Sequence, residues 1–236
     1  MKKIIYLLVV CCISSTVFSQ SLLGAWEATR TAADGKEVRC VVIFADGYQV
    51  ATWHDAKTGK FIATNGGKWS LNEDALTEVV EFDSSTPDRV GSEVNVKIKL
   101  TKNTLSIVGK PTVFKRIDAG TPGKLQGAWL MSGRIRNGKT QARDVSRPRK
   151  TMKILSGTRF QWIAYNTETK EFKGSGGGTY TTVNGKYTEN IEFFSRDDSR
   201  VGASLKFDFS FKDGSWHHQG FSSKGAAMHE IWSVRK

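Results

Sequence analysis

The sequence predicts an all-β protein built as two tandem antiparallel barrels of about eight strands each. Three observations predict it: a period of two along the chain, an internal repeat, and turn residues at short, regular intervals. Val94-Asn95-Val96-Lys97-Ile98-Lys99-Leu100 alternates apolar and polar without a fault, and Leu205-Lys206-Phe207-Asp208-Phe209-Ser210-Phe211 does the same. Alternation of this kind places one face on a core and the other in water. Val94, Val96, Ile98, Leu100, Leu205, Phe207, Phe209 and Phe211 are therefore expected inside. Lys97, Lys99, Lys206 and Asp208 are expected outside.

The repeat sets the domain organisation. Gly24-Ala25-Trp26 returns as Gly127-Ala128-Trp129, an offset of 103. Gly66-Gly67-Lys68-Trp69 faces Gly177-Gly178-Thr179-Tyr180 at an offset of 111. Glu81-Phe82-x-Ser84 faces Glu192-Phe193-x-Ser195, and Arg89-Val90-Gly91 faces Arg200-Val201-Gly202, both at the same 111. Self-similarity at a fixed spacing marks a repeated structural unit. The step from 103 to 111 puts extra residues in the second copy, between Trp129 and Phe160. The copies run over 20–117 and 124–236, joined by a Gly- and Pro-containing linker over 118–123.

Turn signals separate the short runs. Ala45-Asp46-Gly47, Lys57-Thr58-Gly59, Asn72-Glu73-Asp74 and Thr101-Lys102-Asn103 punctuate copy one, and Asn184-Gly185 and Lys212-Asp213-Gly214 punctuate copy two. Eight short strands in about 100 residues suit a closed up-and-down barrel, which leaves no exposed sheet edge. A two-sheet sandwich is the competing closure.

The segment 1–19 reads as a signal peptide: Met1-Lys2-Lys3, an apolar run from Ile4 to Ile13, and a cut after Val17-Phe18-Ser19. The protein is thus expected in the periplasm or outside the cell. A lipid anchor on Cys11 is the competing reading, weakened by the bulky Val10 before it. Of the three cysteines, Cys40 alone remains after the cut, so neither an intrachain disulfide nor a cysteine metal site is expected. Its neighbours Val41, Val42 and Ile43 mark a buried, inert thiol. Loss of Lys2 and Lys3 lowers the formal charge from +12 to +10. That balance suits an acidic polysaccharide, lipid phosphate or nucleic acid, and net charge alone does not choose among them.

The Gly-x-Trp of the first strand, eight strands, and a closing segment with an aromatic residue and an Arg resemble the lipocalin or calycin group. Copy two adds Gly178-Thr179-Tyr180 and Tyr187-Thr188-Glu189-Asn190-Ile191. With these it is similar to an uncharacterised lipocalin-like domain of exported bacterial proteins. Copy one departs from that pattern, with Leu76-Thr77-Glu78 in place of Tyr-Thr-Glu and Phe114 in place of Trp232. The resemblance implies two lipocalin-like barrels. In each, Trp26 or Trp129 plugs one end beneath a last-strand Arg, matched here by Arg116 and Arg235.

Candidate binding residues follow from facing. Leu76, Glu78, Val80 and Phe82 share a face, and the repeat sets Tyr187, Glu189, Ile191 and Phe193 against them. A carboxylate therefore points inward in both copies and needs a partner. Arg89 and Arg200 are the expected ones, as internal braces or as anchors for a ligand head group. Leu105 and Ile107 correspond to Trp216 and His218, so copy two carries an inward imidazole absent from copy one. The candidate site is Tyr187, Glu189, Arg200, Trp216 and His218, with Glu78 and Arg89 as its counterpart in barrel one. The expanded connection is strongly basic, and Arg134, Arg136, Arg143, Arg147, Arg149 and Lys150 form an expected basic lid over the open end.

No nucleophile elbow, zinc-protease motif or phosphate loop is present, so an enzyme is not expected, nor a metal or other cofactor. Aromatics do not interleave with the basic segment, which argues against nucleic acid. No run after the leader approaches the length of a membrane span. The function that fits is an exported, monomeric binding protein holding a small amphipathic or acidic ligand in a lipocalin-like barrel. The alternative is an interaction module that binds an envelope protein or acidic glycan through its basic surface, with both barrels filled.

Overall fold

The computed structural model describes residues 21–121, 123–222 and 224–236. The proposed leader, with Cys11, lies outside them. Barrel one is a closed antiparallel meander of eight strands: β1 (Gly24–Thr31), β2 (Glu37–Ala45), β3 (Tyr48–Asp55), β4 (Phe61–Asn72), β5 (Ala75–Asp83), β6 (Glu93–Leu100), β7 (Thr104–Ile107) and β8 (Val113–Asp118). Barrel two contains β9 (Gly127–Arg136), β10 (Lys139–Ala142), β11 (Arg149–Leu155), β12 (Arg159–Asn166), β13 (Phe172–Val183), β14 (Lys186–Phe194), β15 (Ser204–Lys212), β16 (Ser215–Phe221) and β17 (Ala227–Val234). Pairing of β9 with β17 closes it. Among the described residues, no helix is long and apolar enough to cross a membrane.

The repeated motifs are structural parts. The pairing of β4 with β5 slips at Gly66/Gly67, and that of β13 with β14 slips at Gly177/Gly178. A Cβ at Gly67 would stand 1.9 Å from the Val79 carbonyl oxygen, and one at Gly178 would stand 2.0 Å from that of Asn190. Only glycine permits either bulge. Ser84 Oγ accepts from the Thr64 amide and Ser195 Oγ from the Ser175 amide, both at 2.8 Å. Trp69 Nε1 donates to the Ala45 carbonyl, and the Tyr180 hydroxyl donates to that of Ser156, its counterpart in the repeat.

The extra residues of copy two break its second strand in two. β10 pairs with the far half of β9 and β11 with the near half, on the same edge. Asn137-Gly138 closes the β9–β10 hairpin with φ of 50° and 71°, the left-handed pair that a two-residue turn requires. The expected basic lid is thus largely barrel wall, with a short loop over 143–148. Arg134 and Arg136 lie on β9 and Arg149 and Lys150 on β11. Arg134 bonds Gln141, Arg147 pairs with Asp144 at 3.5 Å, and Lys150 Nζ ties the loop down through the Val145 and Ser146 carbonyls.

The inward and outward parity of β6 and β15 holds, with one exception. Ile98 and Phe207 are buried, Val94, Val96, Leu100, Leu205 and Phe209 are partly buried, and Lys97, Lys99, Lys206 and Asp208 are exposed. Phe211 is 52% exposed and lies against Trp129 at the end of the barrel, where no further wall covers it. Cys40 is buried, and burial pushes its thiol up to about 12.

The barrels pack on each other through the outer faces of β2–β3 and β11–β12. Val41, Ile43, Tyr48 and Val50 share one apolar cluster with Met152, Ile154, Ile163 and Tyr165. These two strand pairs are buried on both faces, which is why Cys40 to Phe44 is a continuous apolar run rather than an alternating one. A buried polar group in the seam is built from both barrels: Thr52 Oγ1 donates to Gln161 Oε1 at 2.7 Å, and Gln161 Nε2 donates to Thr64 and Ser175. The segment read as a linker is anchored. Its first residue, Asp118, ends β8 and accepts from Ser156, Gly157 and Thr158 of barrel two.

Candidate functional site

In β11 the outward Met152 and Ile154 face barrel one, so the residue between them, Lys153, must point into barrel two. It is 4% exposed. Its Nζ donates to Glu189 Oε1 at 2.7 Å and lies 3.2 Å from His218 Nδ1. The rings of Tyr187, Trp216 and Trp232 surround the ammonium with centroids at 5.1, 5.1 and 5.2 Å. Negative ring faces and one carboxylate thus replace the water that this cation lost.

His218 is held on all sides. It stacks on Trp216 at 5.4 Å and meets Phe207 edge to face. Burial, and then the Lys153 charge, push its pKa well below the ordinary value. A neutral imidazole facing an ammonium presents its lone pair at Nδ1 and keeps its proton on Nε2, an atom with no partner among the described residues. Glu230, 3.6 Å from His218 Nδ1, has its pKa raised by burial, partly offset by Lys153. Burial, and then the Glu189 charge, raise that of Tyr187.

Four of the five expected residues, Tyr187, Glu189, Trp216 and His218, therefore meet in one cluster. The fifth does not. Arg200 sits on the 3-10 turn Asp198–Arg200 and its Nε pairs with Asp197 at 3.0 Å. In barrel one, Glu78 likewise accepts from Gln49 Nε2 at 2.6 Å, while Arg89 pairs with Asp83. In both barrels the retained Arg braces the turn between two strands rather than the inward Glu. Its nearest acidic neighbour lies on or just before that same turn.

The two expected plugs differ. In barrel one Arg116 lies 3.9 Å over the Trp26 ring, and Trp26 Nε1 donates to the Leu22 carbonyl. Trp129 repeats the bond, to Leu125, but without Arg235. Trp26 stands opposite Arg116, whereas Trp129 stands opposite Val234, so Arg235 points out of barrel two. It covers the Tyr48 ring of barrel one at 4.1 Å and bonds Glu81 and Tyr165.

Above the Lys153 cluster, barrel two opens into a cavity of about 340 Å³ walled by Trp162, Phe194, Leu205 and Met228. Arg149 and Arg196 form part of its lining. Burial, and then the charges of Arg143 and Arg196, lower the pKa of Arg149. None of these three arginines is ion-paired among the described residues; they donate to Thr151 and to the Lys150 and Lys173 carbonyls. Barrel one encloses about 240 Å³, lined chiefly by apolar side chains with Gln49, Asn65, Glu78 and Arg89. Neither interior is filled.

Lys153, Glu230 and Arg196 were not singled out as inward or site residues by the facing pattern. For Lys153 the signal was present: its counterpart in the repeat is Val42, an inward residue of β2. Placing it in the expanded basic connection concealed that match. Arg196 directly follows the repeated Glu192-Phe193-x-Ser195, but its counterpart in the repeat is Ser85, so the repeat gives it no signal.

The fold and its interiors define a tandem two-barrel protein with cavities of different chemistry. Residues 124–235 match the model of a family described as a domain of unknown function (DUF4488). The crystal structure of the Cpx pathway activator NlpE from Escherichia coli is similar at 12% sequence identity, over 90% of this chain and 92% of that one, with a TM-score of 0.26. No curated protein matches the sequence.

Proposed function

We propose that the protein is an exported binding protein, and that barrel two holds a small amphipathic, acidic ligand. The observation that supports this reading is that Arg149 and Arg196 line the cavity, with the Arg143 charge also felt by Arg149, and with no carboxylate ion-paired to any of the three among the described residues. Like charges held together lower one another's pKa, and an anionic head group between them would relieve that repulsion. Trp162, Phe194, Leu205 and Met228 supply an apolar wall for the tail below. On this reading the deeper cluster of Lys153, Glu189 and His218 is the floor of the site, with the Lys153–Glu189 charges paired and His218 Nε2 left without a partner among the described residues, and Tyr187 and Trp216 shape it.

A second reading has its own observation. Arg134, Arg136, Lys139 and Arg147 are exposed on the β9–β10 hairpin and the loop after it, a surface suited to an acidic glycan or an envelope protein. Native mass spectrometry of the mature protein purified from its host separates the two. A co-purifying acidic small molecule, lost in Arg149→Ala/Arg196→Ala, supports the first reading. Empty barrels, with retention on an acidic glycan column that Arg134→Ala/Arg136→Ala abolishes, support the second.

A further inference from the structure

The two interiors can be compared position by position. Val42, Ala51, Leu76, Val96 and Leu105 line barrel one; at the matching positions of the repeat, barrel two has Lys153, Trp162, Tyr187, Phe207 and Trp216. At all five positions barrel one carries the shorter side chain. Phe44, Trp53, Asn65 and Trp69 run the other way, against Leu155, Ala164, Gly176 and Tyr180, and do not refill the space. An eight-stranded barrel is just wide enough for large side chains to fill, so short ones leave it hollow. The cavity of about 240 Å³ is the result. It continues past Cys40, Trp53, Ile107 and Phe114 into a second opening of about 300 Å³, lined also by Ala28, Arg30 and Pro111. Unfilled apolar volume on this scale is a standing loss of stability; in the sister barrel the larger residues fill the deep interior with the Lys153 cluster and leave a cavity whose lining includes Arg149 and Arg196.

The polar side chains of the main cavity are Gln49, Asn65, Glu78 and Arg89; Thr29, Arg30, Lys110 and Thr112 lie at the second opening. Gln49 Nε2 donates to Glu78, and each of the two side chains makes this one hydrogen bond among the described residues. Arg89 is paired with Asp83. We propose that barrel one is a second binding site, for an uncharged apolar molecule with a single hydrogen-bond donor, such as an alcohol or a secondary amine, docking on Glu78 and Gln49. Glu78 accepts from Gln49 Nε2, and its remaining lone pairs accept from a neutral donor; bringing an anion into this desolvated, largely apolar space without a free cation would be costly. The two barrels thus select opposite head groups, and this site does not depend on the reading of barrel two.

The test uses two fluorescent probes of similar shape on the mature two-barrel chain. N-phenyl-1-naphthylamine is uncharged and has one N–H; 8-anilino-1-naphthalenesulfonate is its anionic relative. The uncharged probe is expected to bind and to quench Trp53 and Trp69, which line the cavity. Val96→Phe, which installs the sister residue, is expected to weaken it at least tenfold without lowering the melting temperature. Ala51→Leu is the milder filling variant should Val96→Phe misfold. Glu78→Leu is expected to weaken the uncharged probe as well. Arg149→Ala/Arg196→Ala should leave the uncharged probe unchanged and reduce only the anionic one. Uncharged-probe binding that survives both filling variants in a folded protein, or that is lost in the arginine variant, overturns the proposal. So does a wild-type chain that binds no uncharged probe. Loss of anionic-probe binding to wild type would instead count against the barrel-two reading alone.

Discussion

Glu81 and Glu192 stand at the same place in the two barrels, and each pairs with an arginine of the other barrel. Arg235 reaches Glu81 at 2.8 Å, and Arg39 reaches Glu192 at 3.2 Å. Phe82 packs on Tyr165, while Phe193 stacks on His54, the residue equivalent to Tyr165. The seam is therefore approximately two-fold, as if each barrel offered the other the same face.

The two ion pairs differ in burial, and that sets a prediction. Arg235 and Glu81 are 7% and 13% exposed, against 24% and 28% for Arg39 and Glu192. Glu81→Gln is expected to cost about 2–4 kcal/mol, because the Arg235 charge stays buried. Arg39→Ala should cost about 1 kcal/mol or less. Urea unfolding of the single and double variants gives both numbers. Equal costs at the two sites would show that burial does not govern the seam.

Inside barrel two, Lys153 is the residue on which the polar cluster depends. Replacing it alone with Met leaves Glu189 buried without its cation and is expected to cost about 3–5 kcal/mol. Lys153→Met/Glu189→Gln removes both charges and should recover a large part of that loss. Chemical denaturation of the three variants measures the coupling. Simple additivity would mean that the 2.7 Å contact contributes no interaction of its own.

The parts of this fold that were legible in the sequence are those where neighbouring residues in the chain decide the outcome. Alternation placed Val94 to Leu100 correctly, and the repeat located Gly67, Ser84, Trp69 and their partners. Arg235 was misplaced because a one-residue difference in where β17 meets β9 turns its side chain to the other face. Arg200 was paired with Glu189 because both are retained, but retention served the turn. The inter-barrel seam was visible only as the unbroken apolar run Cys40 to Phe44, a pattern that reports double-sided burial without naming what covers the second face. Hollowness was not legible at all. It depends on summed side-chain volume across five strands, which becomes visible only once the registers are aligned.

The seam also carries a titratable group whose charge opposes it. His54 is 3% exposed and stacks on Phe193 at 5.5 Å. Burial, and then the charge of Arg39, push its pKa down to about 4 from an ordinary 6.5. Of the other charged groups around it, Arg159 lowers the value further, while Glu192 and Asp55 raise it. The folded pKa lies below the unfolded one, so the stability that neutral His54 supports is complete above pH 6.5. It is lost progressively as pH falls from 6.5 to about 4, by on the order of 2–3 kcal/mol. Over that window wild type should lose stability faster than His54→Phe, which keeps the ring contact and has no proton to gain. Melting temperature measured at several pH values for both proteins tests this. The two curves should diverge on acidification, with the variant holding the higher value at pH 4.5. Parallel curves would mean that His54 is charged in the folded seam or takes no part in holding it.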